Sequence, residues 1–284
     1  MARPLRIEFP GAVYHITARG NAKQNIFYKE SDFANFLTIL CKVVKRYHFI
    51  LHYYCLMYNH YHLLIETPEG NLSRGMRQLN GVYTQYFNKK HQRVGHLFQG
   101  RYKAILVEKE NYLLELSRYI SLNPVRANLV QNLEEWNWSA YRQFIGLSNR
   151  ISCLSTDWIL GQFGIERNMA INAYKNFILS GVDKKSPLQN IKGQIFLGSN
   201  YFTENVANLV EKHAELSEIT RKQLYASRPS LQEIFQNKNN EKIQIEKEIY
   251  KAYQKYGYTL KEIAQYLSLH YTTISRIIKK VENK

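Results

Sequence analysis

The 284-residue chain is short of cysteine and aspartate, and each shortage excludes a class of protein. The three cysteines are far apart in the sequence and lack the paired spacing of zinc-finger ligands: Cys41, Cys55 and Cys153. An odd number of scattered cysteines is typical of a reducing compartment, so no disulfide framework is expected. Only three aspartates occur in the whole chain, too few for a nuclease site in which carboxylates hold two metal ions.

Long apolar runs are also absent. No stretch of about eighteen apolar residues occurs, and the N-terminal segment Met-Ala-Arg-Pro-Leu-Arg lacks the apolar core of a signal peptide. We therefore expect a cytoplasmic protein that does not engage membranes. The length allows about two domains, and 45% hydrophobic residues are ample for folded cores.

Positive charge is abundant. The chain has 39 Lys and Arg against 23 Asp and Glu, a formal net charge of +16. Residues 1–130 carry 18 of the basic residues and 8 of the acidic ones, a net of +10, so most of the excess lies in the first half. This charge predicts a polyanionic partner and salt-dependent binding.

The first 125 residues predict the order βαββαβ followed by a helix. Alternating or apolar β-formers mark four strands, at residues 12–19, 49–58, 60–66 and 102–108. Apolar residues at helical spacing mark helices after Ser31, from Leu72 onward and over 111–122, the last ending before Pro124. The order matches an α+β ferredoxin-like or RRM-like sandwich, an antiparallel sheet with helices on one face.

The remainder is predicted to be all α-helical. A helix over 246–256, a Thr259-Leu-Lys-Glu262 capping box and a helix over 271–281 resemble a helix-turn-helix. We therefore predict three segments: a sandwich domain at 1–145, a helical middle region with a linker at 146–240, and a helix-turn-helix at 241–284.

His60 and His62 are the most informative residues for chemistry. Alternate strand residues point to one face and lie roughly 6 to 7 Å apart, so the two imidazoles can converge on one metal ion. If they do, the helix before Pro124 offers a nucleophile. Tyr119 and Asn123 are four residues apart and share a helical face, but Tyr112 is a rival by periodicity alone.

These features together resemble the single-tyrosine HUH transposases, specifically the REP-associated tyrosine transposase-like group. The resemblance covers residues 3–145. The segments that carry it are Gly11-Ala-Val-Tyr-His-Ile-Thr17, Arg19-Gly-Asn21, His60-Tyr-His62, Gly95-His-Leu-Phe-Gln-Gly-Arg-Tyr-Lys103, Tyr119-Ile-Ser-Leu-Asn-Pro124 and Asn123-Pro-Val-Arg-Ala127. The sequence departs from the family where Tyr58 replaces a frequent proline and where the bulky Tyr61 separates the histidines.

The resemblance implies cleavage and rejoining of single-stranded DNA near hairpins, with Tyr119 as the nucleophile of a 5′-phosphotyrosine intermediate. His60 and His62 would bind a divalent ion, Mg²⁺ or Mn²⁺, with Asn123 either a third ligand or a residue that only shapes the helix end. A monomer or homodimer would act on single-stranded or hairpin DNA.

Further residues are candidate DNA contacts. The resemblance implies that basic residues near the N-terminus hold nucleotides: Arg3, Arg6 and Arg19. Arg101 and Lys103 are candidate phosphate contacts by charge and by position beside Gly100. The helix-turn-helix would read duplex DNA through Thr272, Thr273 and Arg276.

Two other classes of function compete with this one. A non-catalytic DNA-binding regulator would bind duplex DNA through the helix-turn-helix, while its sandwich domain would retain binding without strand transfer and form no covalent adduct. An RNA-binding sandwich would share the topology, but the aromatic and glycine-rich RNP run of such domains is missing.

Overall fold

The computed structural model describes residues 7–211, 228–236 and 242–282; Arg3 and Arg6 lie outside these ranges. The strands are β1 Ala12–Arg19, β2 Ile50–Met57, β3 His60–Thr67, β4 Lys103–Val107 and β5 Phe196–Leu197. The helices up to Glu211 are α1 Glu30–Arg46, α2 Leu72–Lys90, α3 Lys109–Ser121, α4 Asn123–Arg126, α5 Tyr141–Phe144, α6 Asp157–Gly161, α7 Arg167–Leu179 and α8 Asn200–Glu211. Those that follow are α9 Leu231–Ile234, α10 Lys242–Gln254, α11 Leu260–Tyr266 and α12 Tyr271–Glu282.

The strands form one mixed sheet in the order β2-β3-β1-β4-β5. β1 to β4 pair antiparallel with their neighbours, in the predicted βαββαβ order. β5 was not predicted and pairs parallel with β4. A two-residue strand carries no period-2 pattern of its own, so the sequence gives no signal for it.

Helices cover both faces of the sheet, which corrects the prediction that they share one. Tyr61 of β3 packs on Phe36 of α1 with ring centroids 5.0 Å apart and donates a hydrogen bond to Asn80 of α2. The neighbouring residue His62 contacts Tyr119 of α3. Because successive strand residues point to opposite faces, α3 lies on the other side of the sheet from α1 and α2.

α3 ends at Ser121, before Pro124 as predicted, but the chain does not leave helical geometry there. The main-chain dihedrals of Leu122 are helical, and Asn123 begins the four-residue helix α4 with Pro124 in its first turn. Proline is tolerated there because an N–H in the first turn has no intrahelical acceptor. The backbone therefore stays helical through Leu122 and into α4.

The first compact unit ends at Phe202, well past the predicted boundary at 145. The segment after 145 packs on the edge of the sheet, where Leu154 bridges to Leu51 of β2. The expectation of no disulfide is wrong in this structure, since that packing joins Cys153 to Cys41 of α1. A sequence separation of 112 residues hid the pairing. Cys55 is a buried free thiol.

The second unit begins at Thr203 and contains the three predicted C-terminal helices α10, α11 and α12. The predicted capping box at the start of α11 is confirmed, because Thr259 and Glu262 each accept the other's backbone N–H. The helices enclose a small core of Ile249, Ala252, Tyr258, Ile263, Ala264, Ile274 and Ile278. Among the described residues, no helix combines the length and apolar character needed to span a bilayer.

Candidate active site

His60 and His62 lie side by side on the α3 face of the sheet. Both rings lie on this face because alternate strand residues point the same way. Their centroids are 5.0 Å apart and their planes are nearly perpendicular. His62 is buried and His60 is partly buried. The intervening Tyr61 is fully buried on the opposite face, so its bulk does not disturb the pair.

Each histidine uses its Nδ1 atom for a hydrogen bond. His60 Nδ1 lies 2.7 Å from Asn59 Oδ1, and His62 Nδ1 lies 2.9 Å from Nε2 of His15, a residue of β1. Among the described residues no hydrogen bond engages Nε2 of His60 or His62. Metal-binding histidines are held in this way, with one nitrogen anchored and the other presented to the ion.

The imidazoles of His15, His60 and His62 are all neutral near pH 7, because burial lowers the pKa of each. Burial lowers the pKa of His60, and the charge of Arg19 lowers it further. Burial also lowers the pKa of His62 well below its ordinary value, with smaller contributions from His15 and His60. The pKa of His15 falls to about 4 through burial alone. Neutral imidazoles are the form that binds metal ions.

Tyr119 of α3 is the tyrosine that reaches the histidines. Its ring meets the His62 ring edge-on, with centroids 6.4 Å apart. Its hydroxyl has no hydrogen bond to any described residue. Tyr112, its rival by spacing, makes no ring contact with either histidine within the described residues. Asn123 donates its side-chain N–H to the Tyr119 carbonyl at 3.1 Å, which ties the start of α4 to the end of α3.

Arg126 is a site residue that the sequence reasoning missed, although it lies in a segment quoted for the family. Its guanidinium carbon is 5.5 Å from the centroid of the Tyr119 ring. The carbonyl oxygens of Gly181 and Lys184 hold its Nη2 at 3.0 and 2.9 Å. The middle region therefore positions a cation beside the nucleophile candidate, a relation that no spacing in the sequence reveals.

Two of the predicted DNA contacts share this face of the sheet. Arg19 pairs with His60 across β1 and β3, and Thr17 pairs with both His62 and Lys103. Residues paired directly across antiparallel strands point to the same face, so Lys103 lies about 10 Å, or two strand spacings, from His62. Arg19 and Lys103 are exposed, and Arg19 donates to Gln99. Arg101 is exposed in the loop before β4.

Gly20 anchors the end of β1 beside this cationic face. A side chain here would place its Cβ 1.9 Å from the carbonyl oxygen of Gln24, so the loop can close this tightly only around glycine. The N–H of Gly20 donates to the Asn59 carbonyl at 2.8 Å. The loop thereby supports the turn that precedes His60.

The predicted duplex contacts lie at the start of α12 in the second unit. Thr272 and Arg276 are exposed, and Thr273 is half-buried. The Thr272 hydroxyl lies 2.8 Å from His270 Nδ1. No hydrogen bond or ion pair from the described residues engages Arg276.

The described residues contain no cluster of three or more His, Cys, Asp or Glu side chains arranged to hold a metal ion. The histidine pair nevertheless fits a divalent ion, because burial favours the neutral form of both rings and neither Nε2 has a hydrogen-bond partner among the described residues. Further ligands would come from an amide such as Asn123, from a phosphate oxygen or from water.

Residues 9–123 match the model of a family described as Transposase IS200 like. This stretch of the chain, which contains β1 to β4 and Tyr119, is therefore similar to an IS200-like transposase.

Two solved structures are similar to this chain. One is a REP-associated tyrosine transposase bound to a REP hairpin, 17% identical, with a TM-score of 0.45 over 55% of this chain and 98% of that one. The other is described as a transposase from Deinococcus radiodurans R1, 16% identical, with a TM-score of 0.30 over 42% of this chain and 94% of that one. No curated protein matches the chain.

Proposed function

We propose that the protein cleaves and rejoins single-stranded DNA at hairpin-bearing sequences through a covalent link to Tyr119. The observation that carries the proposal is the edge-on contact of Tyr119 with His62, on a face that also presents His60 and the cations Arg19 and Lys103. A candidate nucleophile, a candidate metal-binding pair and exposed positive charge on this face together support the proposal.

The reaction is a transesterification at a backbone phosphate. The Tyr119 hydroxyl loses its proton and its oxygen bonds to phosphorus, while the bond from phosphorus to the 3′ oxygen breaks. The leaving oxygen takes up a proton, so the products are a 5′-phosphotyrosine and a free 3′-hydroxyl. Because one phosphodiester replaces another, a second 3′-hydroxyl can reverse the step and join a new strand without ATP.

The protein's own groups bind and orient the strand. Arg19 and Lys103 would hold backbone phosphates on the open face, and Arg126 lies where it can neutralise charge that develops beside Tyr119. His60 and His62 would each hold Mg²⁺ or Mn²⁺ through Nε2. Asn123 is a candidate third ligand. When bound, the ion supplies a positive centre that polarises the scissile phosphoryl group, which an unaided phenol with a pKa of about 10 requires.

The test is a covalent-adduct assay with Tyr119→Phe. Single-stranded hairpin DNA from the gene's own flanks is labelled at the 3′ end and incubated with protein and Mn²⁺ or Mg²⁺. We expect a labelled adduct that survives denaturation with wild type and none with Tyr119→Phe. DNA labelled at the 5′ end should instead give a shorter free strand, because the protein is joined to the other fragment.

Tyr112→Phe is the matched control, since it removes the same hydroxyl from the same helix. It should form the adduct at the wild-type rate. The double variant His60→Ala and His62→Ala should keep its fold by circular dichroism and lose the adduct. An adduct with Tyr119→Phe, or undiminished cleavage by the double histidine variant, would overturn the respective assignment.

A second candidate function is sequence-specific binding of duplex DNA without catalysis. The separate core of the C-terminal unit and the exposed Thr272 and Arg276 at the start of α12 favour it. It predicts a duplex complex that is unaffected by Tyr119→Phe and no adduct with any variant. Strand transfer and duplex binding can coexist in one chain. The adduct assay therefore decides whether duplex binding is the only activity of the protein.

A further inference from the structure

His15 is a third imidazole behind the histidine pair. It is 1% exposed, and its ring stacks on that of His62 with centroids 5.2 Å apart and planes 10° from parallel. Its Nε2 contacts His62 Nδ1 at 2.9 Å, while its own Nδ1 is buried without a partner among the described residues. The function proposed above assigns His15 no role.

The hydrogen bonds of Asn59 decide which nitrogen of His60 carries the proton. Asn59 donates its amide N–H to the Lys23 carbonyl at 3.2 Å, so its oxygen faces His60 and can only accept. His60 therefore carries its proton on Nδ1 and a lone pair on Nε2. His62 has no such fixed acceptor, because an imidazole partner can either donate or accept.

The surroundings of His62 favour the same tautomer. A lone pair on its Nε2 is more stable than an N–H on a face that carries Arg19 and Lys103. With the lone pair at Nε2, His62 donates from Nδ1 and His15 accepts at Nε2. His15 then keeps its single proton on the unpartnered Nδ1. His15 cannot itself be a third ligand while it forms this hydrogen bond.

We propose that His15 is a positioning residue that accepts the Nδ1 proton of His62 and thereby presents the His62 Nε2 lone pair to a divalent ion. This inference rests on the metal-binding part of the proposed function. Removal of such a supporting partner typically weakens metal binding 10-fold to 100-fold.

Two substitutions separate the hydrogen bond from the packing. His15→Phe keeps a stacked ring but removes the acceptor, whereas His15→Gln keeps an acceptor oxygen close to the position of Nε2. Thermal melts establish that both fold. The tautomer of His62 is read in the metal-free full-length protein from long-range ¹H–¹⁵N correlations of its ring, and Mn²⁺ affinity is measured without DNA.

In wild type and His15→Gln we expect His62 protonated on Nδ1. In His15→Phe we expect a shift toward the Nε2–H tautomer and Mn²⁺ binding about 10-fold to 100-fold weaker. An Nε2–H tautomer in wild type, or a His15→Phe variant with unchanged tautomer and affinity, overturns the inference.

These readouts also distinguish failure of the inference from failure of the proposed function. If the tautomer and affinity change as expected but wild type forms no DNA adduct, the strand-transfer reaction is wrong and the role of His15 stands. If wild type forms the adduct and His15→Phe matches it in tautomer, affinity and rate, the role of His15 is wrong and the reaction stands.

Discussion

Glu66 lies on the same face of β3 as His60 and His62, at the far end of the strand. Its Oε2 is 2.8 Å from His52 Nε2 and 2.7 Å from Lys109 Nζ, at the start of the helix that carries Tyr119. The hydrogen bond with His52 is the largest cause that lowers the pKa of this carboxyl, and with Lys109 it brings the pKa to about 2. Glu66 therefore fastens α3 to the sheet through a charged group.

Glu66→Gln should lower the free energy of unfolding at pH 7 by about 1 to 3 kcal/mol, because it removes the charge from two hydrogen bonds. A folded pKa below the unfolded value means that the carboxylate stabilises above about pH 4.5 and loses this effect as the pH falls toward 2. Denaturant titrations should thus show a difference between variant and wild type that is constant from pH 7 to 5 and shrinks below it. Glu69→Gln is the control, because Glu69 pairs with His48 where both are exposed. A pH-independent difference for Glu66→Gln would contradict the argument.

At the scale of elements, sequence patterns correctly predicted the features that depend on residues close together in the chain, such as strand bounds. The bounds of β1 follow from period-2 alternation, and β3 ends at Thr67, one residue past the predicted strand over 60–66. The face on which α3 packs was predicted wrongly, because it depends on contacts between distant residues. His15 shows the same limit at the site: its place beside His62 follows from the pairing of β1 with β3, which the sequence alone does not specify.

The disulfide is an element-scale feature of this kind, since it ties the segment after residue 145 to α1. Alkylation in denaturant without reductant should detect one thiol, Cys55, whereas three thiols would contradict the bond.

A loop of 112 residues predicts that Cys41→Ser with Cys153→Ser costs up to about 5 kcal/mol of stability. Thiol reductant should produce a similar loss in wild type. Cys55→Ser is the control, because it removes a thiol but leaves the disulfide-closed loop intact. Its melt should therefore not show the loss of stability that opening the loop causes.

At the scale of the whole molecule, each of the two units presents exposed basic residues for which we predict a DNA contact. The first unit offers the open face of its sheet, with Arg19 and Lys103 beside the histidine pair. The second offers the exposed start of α12. If both bind DNA, the protein can hold a duplex through one unit while the other acts on an adjacent single strand, which adds sequence specificity to the cleavage.

Two cations of α12 make this division testable in the full-length protein. Arg276 is exposed without an ion-pair partner in the described residues, whereas Lys280 is neutralised by Glu246 at 2.7 Å. Arg276→Gln should weaken duplex binding and reduce the slope of log K against log salt by about 0.9, the value for one lost phosphate contact. Lys280→Gln removes the same formal charge and, provided its melt is intact, should change the slope far less.

Neither substitution should alter adduct formation at Tyr119 on single-stranded DNA. Equal slopes for wild type and both variants would show that α12 does not contact the duplex, and the C-terminal unit would then require a partner other than DNA.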